Sequence, residues 1–405
     1  MNPIDQLRAA RPEHLGDTPV DSRTRAAELS RAMAQPRRAP ARRRVVRPGW
    51  GLGLAGAAAA VTAVAVTISA TGGTVQDAPS AQADPGRTAS SPASSGPASS
   101  SPTASAPRVE LSSRSILLAA AHGAARQPET TGAYWYTASV TRMLSEAADG
   151  DYTVVERTRN EGWTPSATGG DQWSRTRSLG ARPASPEDEA AWRRAGSPTE
   201  IEVEVPGKGG GKRGGYVLST EPGEAEGSHT PLVDGDKVFW LGRNVTMKDL
   251  RGLPDDPADL KAWLLRSYGG TGTESDDPMS SDAWLFAVSV GLITDMPVTS
   301  QVRGAAFRML ADLKTIKVSR GVTDAEGRTG SAVAIEGPAR AKADAKGADG
   351  VLLDRLIFDE ATGRALAREN VVVRPGGLQA GFEPGTVWHS QTVLEAGWTD
   401  EKPAS

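Results

Sequence analysis

The sequence predicts an α+β domain, with an antiparallel sheet packed on helices, attached to a single transmembrane helix. Three observations support this fold class. Residues 49–70 are uncharged and follow a cluster of arginines, residues 71–110 are rich in Ser, Pro and Ala, and residues 111–400 carry strand patterns, then helical patterns, then strand patterns again. Separate strand and helix blocks along one chain are typical of α+β domains. We therefore divide the chain into a cytoplasmic tail (1–48), a membrane span (49–70), a stalk (71–110) and a folded domain (111–400).

The predicted span reads GWGLGLAGAAAAVTAVAVTISA and contains no charged side chain. At about 1.5 Å per residue it would form a helix of about 33 Å, which matches a bilayer core of about 30 Å. Residues 1–47 contain eleven arginines and five acidic residues, a net charge of +6, which leaves −9 for the rest of the chain. The positive-inside rule then places the tail in the cytoplasm and the folded domain outside the cell. A cleaved signal peptide is the alternative, but its basic region of about 48 residues would be far longer than such peptides have.

The tail and the stalk are expected to lack a packed core. Residues 21–33 have a weak helical spacing of apolar side chains. This stretch is either a short helix that binds a cytoplasmic partner or part of a disordered tail whose arginines contact anionic lipid. Residues 88–107 consist only of Ser, Thr, Ala, Pro and Gly. Such a composition does not fold and would hold the domain clear of the membrane.

Hydrophobic periodicity places the elements of the folded domain. A helix is predicted to begin at Ser112 or Ser113, and further helices follow at 186–195, 258–268, 282–293 and 298–313. The apolar run in 282–293 is too short to cross a membrane. Strands are predicted at 132–144, 152–163, 172–179, 200–205, 216–220, 238–241, 314–322, 330–335, 351–359, 365–374 and 385–395. The last five strands read as an antiparallel meander.

Motifs for catalysis and for cofactor binding are missing from the sequence. The chain has no cysteine, which excludes disulfides, thiolate catalysis and thiolate metal sites. The glycine-rich residues 207–213 do not have the spacing of a phosphate-binding loop. His14, His122, His229 and His389 have no metal-ligand spacing around them, and no G-x-S-x-G motif is present. We therefore expect a protein that is not an enzyme and that binds neither a metal nor a cofactor.

Tryptophan is the residue type that points most directly to a binding role. Nine of the ten tryptophans follow the predicted span, whereas Phe and Tyr number only five each. They would either line an apolar groove for an acyl chain or a peptide, or fill the core. The candidate groove residues are Trp135, Trp173, Trp240, Trp284 and Trp388. The acidic balance of the domain argues against a nucleic-acid partner.

Several motifs, taken in their order along the chain, resemble a family of actinobacterial single-span membrane proteins of unassigned function. They are Tyr-Trp-Tyr at 134–136, L-P-x-D-P-x-x-L-x-x-W-L at 253–264, V-T-D-A-x-G-R at 322–328 and L-I-F-D-x-x-T-G-R at 356–364. The order of elements in the folded domain is also similar to the lipoprotein-carrier and stress-regulator fold of LolA and RseB. That resemblance implies a curved half-barrel sheet around helices, and a role in lipid or lipoprotein sensing. The tail lacks the His and Cys zinc motif of many anti-sigma domains.

These patterns together predict a membrane-anchored, non-enzymatic envelope protein. Its outer domain would bind a hydrophobic ligand, a lipid or lipoprotein, or a protein partner. A transmembrane regulator whose tail contacts a cytoplasmic partner is the first alternative, and an extracytoplasmic hydrolase is the second.

Overall fold

A computed structural model of the chain describes residues 112–148, 151–206, 212–240, 243–273, 277–339 and 350–401. Its strands are β1 (Tyr134–Glu146), β2 (Thr153–Pro165), β3 (Asp171–Ser178), β4 (Arg182–Pro183), β5 (Glu200–Pro206), β6 (Lys212–Ser219), β7 (Ala225–Pro231), β8 (Lys237–Trp240), β9 (Arg243–Thr246), β10 (Lys317–Thr323), β11 (Thr329–Pro338), β12 (Val351–Phe358), β13 (Ala365–Arg374) and β14 (Val387–Thr399). Its helices are α1 (Ser113–Ala125), α2 (Pro186–Arg194), α3 (Met247–Arg251), α4 (Pro257–Leu265), α5 (Ser281–Thr294) and α6 (Ser300–Ala311), with a 3₁₀ turn at Gly377–Gln379.

Ten of the strands form one antiparallel sheet. Nine lie in the order β10-β11-β12-β13-β14-β1-β2-β3-β7, and β4 pairs with β2 beside them. The predicted meander is present as β10 to β14, each strand pairing with the next. Strand β14 then pairs with β1, so the first and last strands of the domain lie side by side near the middle of the sheet. Two separate hairpins, β5–β6 and β8–β9, complete the strands.

The predicted fold class, a half-barrel domain attached to a transmembrane helix, is wrong. The described residues form a sheet-rich domain with a ten-stranded antiparallel sheet and six helices. Among these residues no helix is both long enough and apolar enough to cross a membrane. The longest, α5, has 14 residues, whereas a span needs about 20. The predicted span at 49–70 lies outside the described residues, as do the tail at 1–48 and the stalk at 71–110.

The main core lies between the helices and one face of the sheet, which we call the helical face. Side chains that alternate along β11 and β12, such as Val333 and Leu356, point into this core with α1, α5 and α6. Helix α5 is buried at every residue from Trp284 to Thr294. A helix that is apolar on all sides is typical of one enclosed by its own domain. The apolar run of α5 therefore serves packing within the domain.

Each of the six described helices begins at a side chain that accepts a hydrogen bond from the first turn. The N-cap residues are Ser112, Ser185, Thr246, Asp256, Ser280 and Thr299. Such a cap stabilises a helix by about 1 kcal/mol relative to alanine. The L-P-x-D-P motif thus has a structural role, because its Asp256 caps α4 and Pro257 occupies the first helical position.

The V-T-D-A-x-G-R motif forms the turn between β10 and β11. The Asp324 carboxylate accepts hydrogen bonds from the backbone N–H groups of Glu326 and Arg328 at 3.0 and 2.9 Å. The Arg328 guanidinium donates to the carbonyl oxygens of Val393 and Leu366 at 3.0 and 2.7 Å. The turn is therefore fixed to β14 and to β13.

The L-I-F-D-x-x-T-G-R motif forms the turn between β12 and β13. The Asp359 carboxylate accepts from both the backbone N–H and the hydroxyl of Thr362 at 2.7 Å. Gly363 has a φ of +65°, and a Cβ at this position would lie 2.4 Å from the Ala120 carbonyl oxygen of α1. The motif therefore sets a close contact between this turn and α1.

Candidate binding face

The structure does not bring the five candidate groove tryptophans together. Trp240 and Trp284 are 3% and 2% exposed and belong to the main core. Trp135 is 4% exposed, and its indole N–H donates to the Asp295 carbonyl oxygen at 2.8 Å. Trp388 packs half-buried on a small separate cluster. Trp173 lies on the sheet face opposite the helices, apart from Trp135, Trp240 and Trp284.

A pocket on the helical face is small and polar. It has a volume of about 30 Å³ and is lined by Ser139, Asn160, Gln391 and Asp295, among others. Pockets for drug-sized ligands have volumes of about 300–1,000 Å³, and a cavity of about 30 Å³ holds one water molecule. This pocket is therefore too small for an acyl chain.

Four aromatic side chains form one row across four neighbouring strands on the face opposite the helices. The strand registers place Tyr136 of β1 opposite Trp163 of β2, Trp163 opposite Trp173 of β3, and Trp173 opposite His229 of β7. The ring centroids of Tyr136 and Trp163 are 5.0 Å apart, and the rings of Trp173 and His229 stack at 4.5 Å. Because the four strands are adjacent, the row spans about 14 Å at a strand spacing of about 4.8 Å.

Two rows of charged side chains follow the aromatic row on the same face. Glu161 of β2 lies opposite Arg175 of β3, and Arg159 of β2 lies opposite Arg177 of β3. The Arg175 guanidinium also sits 5.5 Å from the Trp163 ring centroid, which is a cation–π distance. We call the surface formed by Tyr136, Trp163, Trp173, His229, Glu161, Arg159, Arg175 and Arg177 the aromatic–arginine face.

Glu161 is the buried centre of this face. It is 6% exposed, and it accepts hydrogen bonds from Tyr136 Oη at 2.9 Å, Arg159 Nη2 at 3.1 Å and Arg175 Nε at 2.7 Å. Burial raises the pKa of Glu161, but the hydrogen bonds from Arg175, Arg159 and Tyr136 outweigh it and lower this pKa to about 2. Burial, together with the hydrogen bond to Glu161, raises the pKa of Tyr136 to about 12.

The arginines of this face keep much of their surface in water. The side chains of Arg159 and Arg175 are 44% and 38% exposed, and Arg177 is also exposed. His229 is 54% exposed, and its Nδ1 lies 2.8 Å from an Asp171 carboxylate oxygen. The face therefore offers cationic and aromatic groups that are held in fixed positions.

The sequence contains a signal for this face, because charged and aromatic residues recur at every second position along β2 and β3. Glu161 and Trp163 follow Arg159 at every second position of β2, and Arg175 and Arg177 follow Trp173 in the same way on β3. Alternate residues of a strand share one face. Apolar periodicity alone does not reveal this pattern, because its members are charged or aromatic.

Other kinds of site are not indicated by the described residues. In this part of the chain, no three His, Cys, Asp or Glu side chains lie close enough to hold a metal ion. His122 lies in the last turn of α1, and His389 is 8% exposed on β14. Most of the glycine-rich segment at 207–213 lies outside the described residues.

No protein-family model, curated protein or solved structure matches this chain. The resemblances to actinobacterial single-span proteins and to the LolA and RseB fold therefore stay predictions.

Proposed function

We propose that this chain is a non-enzymatic binding protein that holds a protein partner against its aromatic–arginine face. One observation carries the proposal: Tyr136, Trp163, Trp173 and His229 form a continuous row on strands β1, β2, β3 and β7. Arg175, Arg159 and Arg177 lie in the two rows next to the aromatic row, on the same face of the sheet. Tyr, Trp and Arg are the side chains that contribute most of the energy at protein–protein interfaces.

The shape of the described surface favours a protein over a lipid. In the aromatic row Trp163 is 7% exposed beneath the Arg175 guanidinium, while Trp173 and His229 keep more of their surface in water. The pocket of about 30 Å³ on the other face is too small for an acyl chain. A surface that combines aromatic rings with half-exposed arginines resembles the composition of interfaces, where a partner desolvates both kinds of group.

Site-specific photo-crosslinking tests the proposal. A photo-reactive amino acid replaces Arg177 on the aromatic–arginine face, or Thr176, which is exposed on the opposite face of the same strand. In cells that make the full chain, we expect a discrete protein adduct from position 177 only. The adduct should disappear when Trp173→Ala is added, with circular dichroism showing that the fold is kept. Equal adducts from both positions, or an adduct that survives Trp173→Ala, would contradict the proposal.

A further inference from the structure

Arg303 of helix α6 is a cation whose guanidinium group forms neither a hydrogen bond nor an ion pair with any described residue. Its Nε atom is buried, while part of the residue stays in contact with water. The Ala125 carbonyl oxygen at the end of α1 accepts hydrogen bonds from Ser300 and Gln301, in the first turn of α6, and not from Arg303. Because a guanidinium nitrogen is costly to bury without a partner, the position of Arg303 points to a missing acceptor.

Arg303 lies where α6, α1 and the β12–β13 turn meet. A Cβ added to Gly304 of α6 would lie 2.8 Å from one carbonyl oxygen of α1, and a Cβ added to Gly363 of the turn would lie 2.4 Å from another. Both the helix and the turn are therefore in close contact with the C-terminal half of α1. Arg303 precedes Gly304 and Arg364 follows Gly363, and the positive charges of the two arginines are close enough to interact.

Glu129 is the carboxylate whose charge acts on Arg303, but other groups hold it. One of its oxygens accepts a hydrogen bond from the backbone N–H of Ser300, the first residue of α6. The other oxygen lies 3.5 Å from Nη2 of Arg251 in α3, whose Nη1 is also buried without a partner. One carboxylate therefore serves the guanidinium groups of both Arg251 and Arg303.

The charges around Arg303 do not balance. Arg251, Arg303 and Arg364 carry three positive charges, and the carboxylates that interact with them are Glu129 and Asp359. The Asp359 carboxylate is already bonded within its own turn. Burial lowers the pKa of Arg303 to about 10, so this side chain is still charged at pH 7. One positive charge is left without a counter-charge.

We propose that Arg303 and Arg364 bind a phosphate group beside the C-terminal half of α1. The planar fork of a guanidinium group matches the geometry of phosphate oxygens. A phosphate group has several acceptor oxygens and a charge of about −1.5 to −2 at pH 7, so it can accept from both arginines and offset the surplus charge. The phosphate is either free or part of a phosphomonoester. This site lies on the helix side of the sheet and is separate from the aromatic–arginine face.

Calorimetric titration of the full chain at constant ionic strength tests the inference. The probes are inorganic phosphate, phenyl phosphate as a phosphomonoester, and acetate as a carboxylate. The control variant is Arg308→Gln on the same helix, where Arg308 donates to the Asp255 carbonyl oxygen. Wild type and control should bind phosphate more tightly than acetate, and Arg303→Gln should bind it at least about tenfold more weakly because a charge-assisted hydrogen bond is lost. The tighter of the two phosphate probes identifies the source.

Three results of the titration would overturn the inference. They are no binding of either phosphate probe by the wild type, equal binding by the wild type and Arg303→Gln, and tighter binding of acetate than of phosphate.

Thermal unfolding separates a ligand site from a purely structural role of Arg303. Without phosphate, Arg303→Gln should be at least as stable as the wild type, because it removes an uncompensated charge. With phosphate, the Tm of the wild type should rise more than that of the variant. The comparison between the two proteins removes the general stabilisation that phosphate gives by exclusion from protein surfaces. A variant that is less stable without phosphate, and that gains as much from phosphate as the wild type, would show that Arg303 is structural.

Discussion

At Glu161, two opposing effects set the charge of one side chain. Burial at 6% exposure disfavours the carboxylate, while three donated hydrogen bonds favour it. The hydrogen bonds win, and the pKa falls from 4.5 to about 2. A carboxyl group whose pKa is lowered on folding stabilises the folded state above its unfolded pKa, and this stabilisation is lost as the pH falls through the folded pKa.

The Glu161→Gln substitution should therefore destabilise the domain at pH 7. Lowering the pKa from 4.5 to about 2 corresponds to about 3 kcal/mol, which we reduce to about 1–3 kcal/mol because Arg159 and Arg175 are partly solvated. The difference in unfolding free energy between wild type and variant should shrink as the pH falls from 4.5 to 2. Urea unfolding of the wild type and the variant at pH 7 and at pH 3 measures this difference.

Glu395→Gln is the control for this substitution, because Glu395 is exposed on the same sheet face. It should change the unfolding free energy by less than about 0.5 kcal/mol. A Glu161→Gln variant as stable as this control would show that the three hydrogen bonds make no net contribution to the unfolding free energy.

Among the elements, the β12–β13 turn depends on a glycine for two separate reasons. Gly363 has a φ of +65°, which disfavours any other residue, and a Cβ would come within 2.4 Å of the Ala120 carbonyl oxygen and 2.7 Å of the Ala124 Cβ in α1. Gly327, in the β10–β11 turn, has a φ of +81°, but a Cβ added there would meet no other part of the chain within 4 Å. A comparison of substitutions at the two glycines therefore separates the effect of backbone strain from the effect of steric overlap with α1.

We expect Gly363→Ala to cost more stability than Gly327→Ala. The left-handed conformation alone costs about 1–2 kcal/mol for a residue with a Cβ. At position 363 the overlap with α1 should add about 1–3 kcal/mol, the usual cost of overpacking. Thermal or urea unfolding compares the variants, and equal losses would show that the turn moves away from α1 at little cost.

Elements with an apolar period or an unbroken apolar run could be predicted from the sequence, and elements with neither could not. Helix α6 lies close to its predicted bounds because its buried side chains recur at helical spacing, and helix α5 because its apolar run is unbroken. Strands β10 to β14 also lie close to their predicted bounds. Strand β7 was not predicted, because every residue of AEGSHTP is exposed and nothing alternates. The pairing of β1 with β14 joins residues about 250 positions apart, and no local pattern encodes it. The aromatic–arginine face escaped prediction because the period of two shows only which residues share a face within one strand, whereas the row across the sheet needs the registers of four strands.

At the scale of the whole molecule, the strand order separates a stable centre from an exposed edge. Strands β1 and β14 have neighbours on both sides, whereas β7 has a described neighbour on one side only. Backbone groups that are paired and buried open only with large parts of the domain, while exposed edges open locally. The stability of the fold is thus concentrated in the middle of the sheet, away from edge strand β7.

Native-state hydrogen exchange of the full chain should reproduce this separation. We expect the amides of β1 and β14 to exchange slowest, with opening free energies close to that of global unfolding, and those of β7 to exchange at least about a hundredfold faster, a difference of about 2.8 kcal/mol. Strand β10, at the other edge of the sheet, is the internal comparison for β7. Its bulge and ion pairs do not bury its outer amides, so it should also exchange as an edge strand. Amides of β7 as protected as those of β14 would contradict this separation of a stable centre from a locally opening edge.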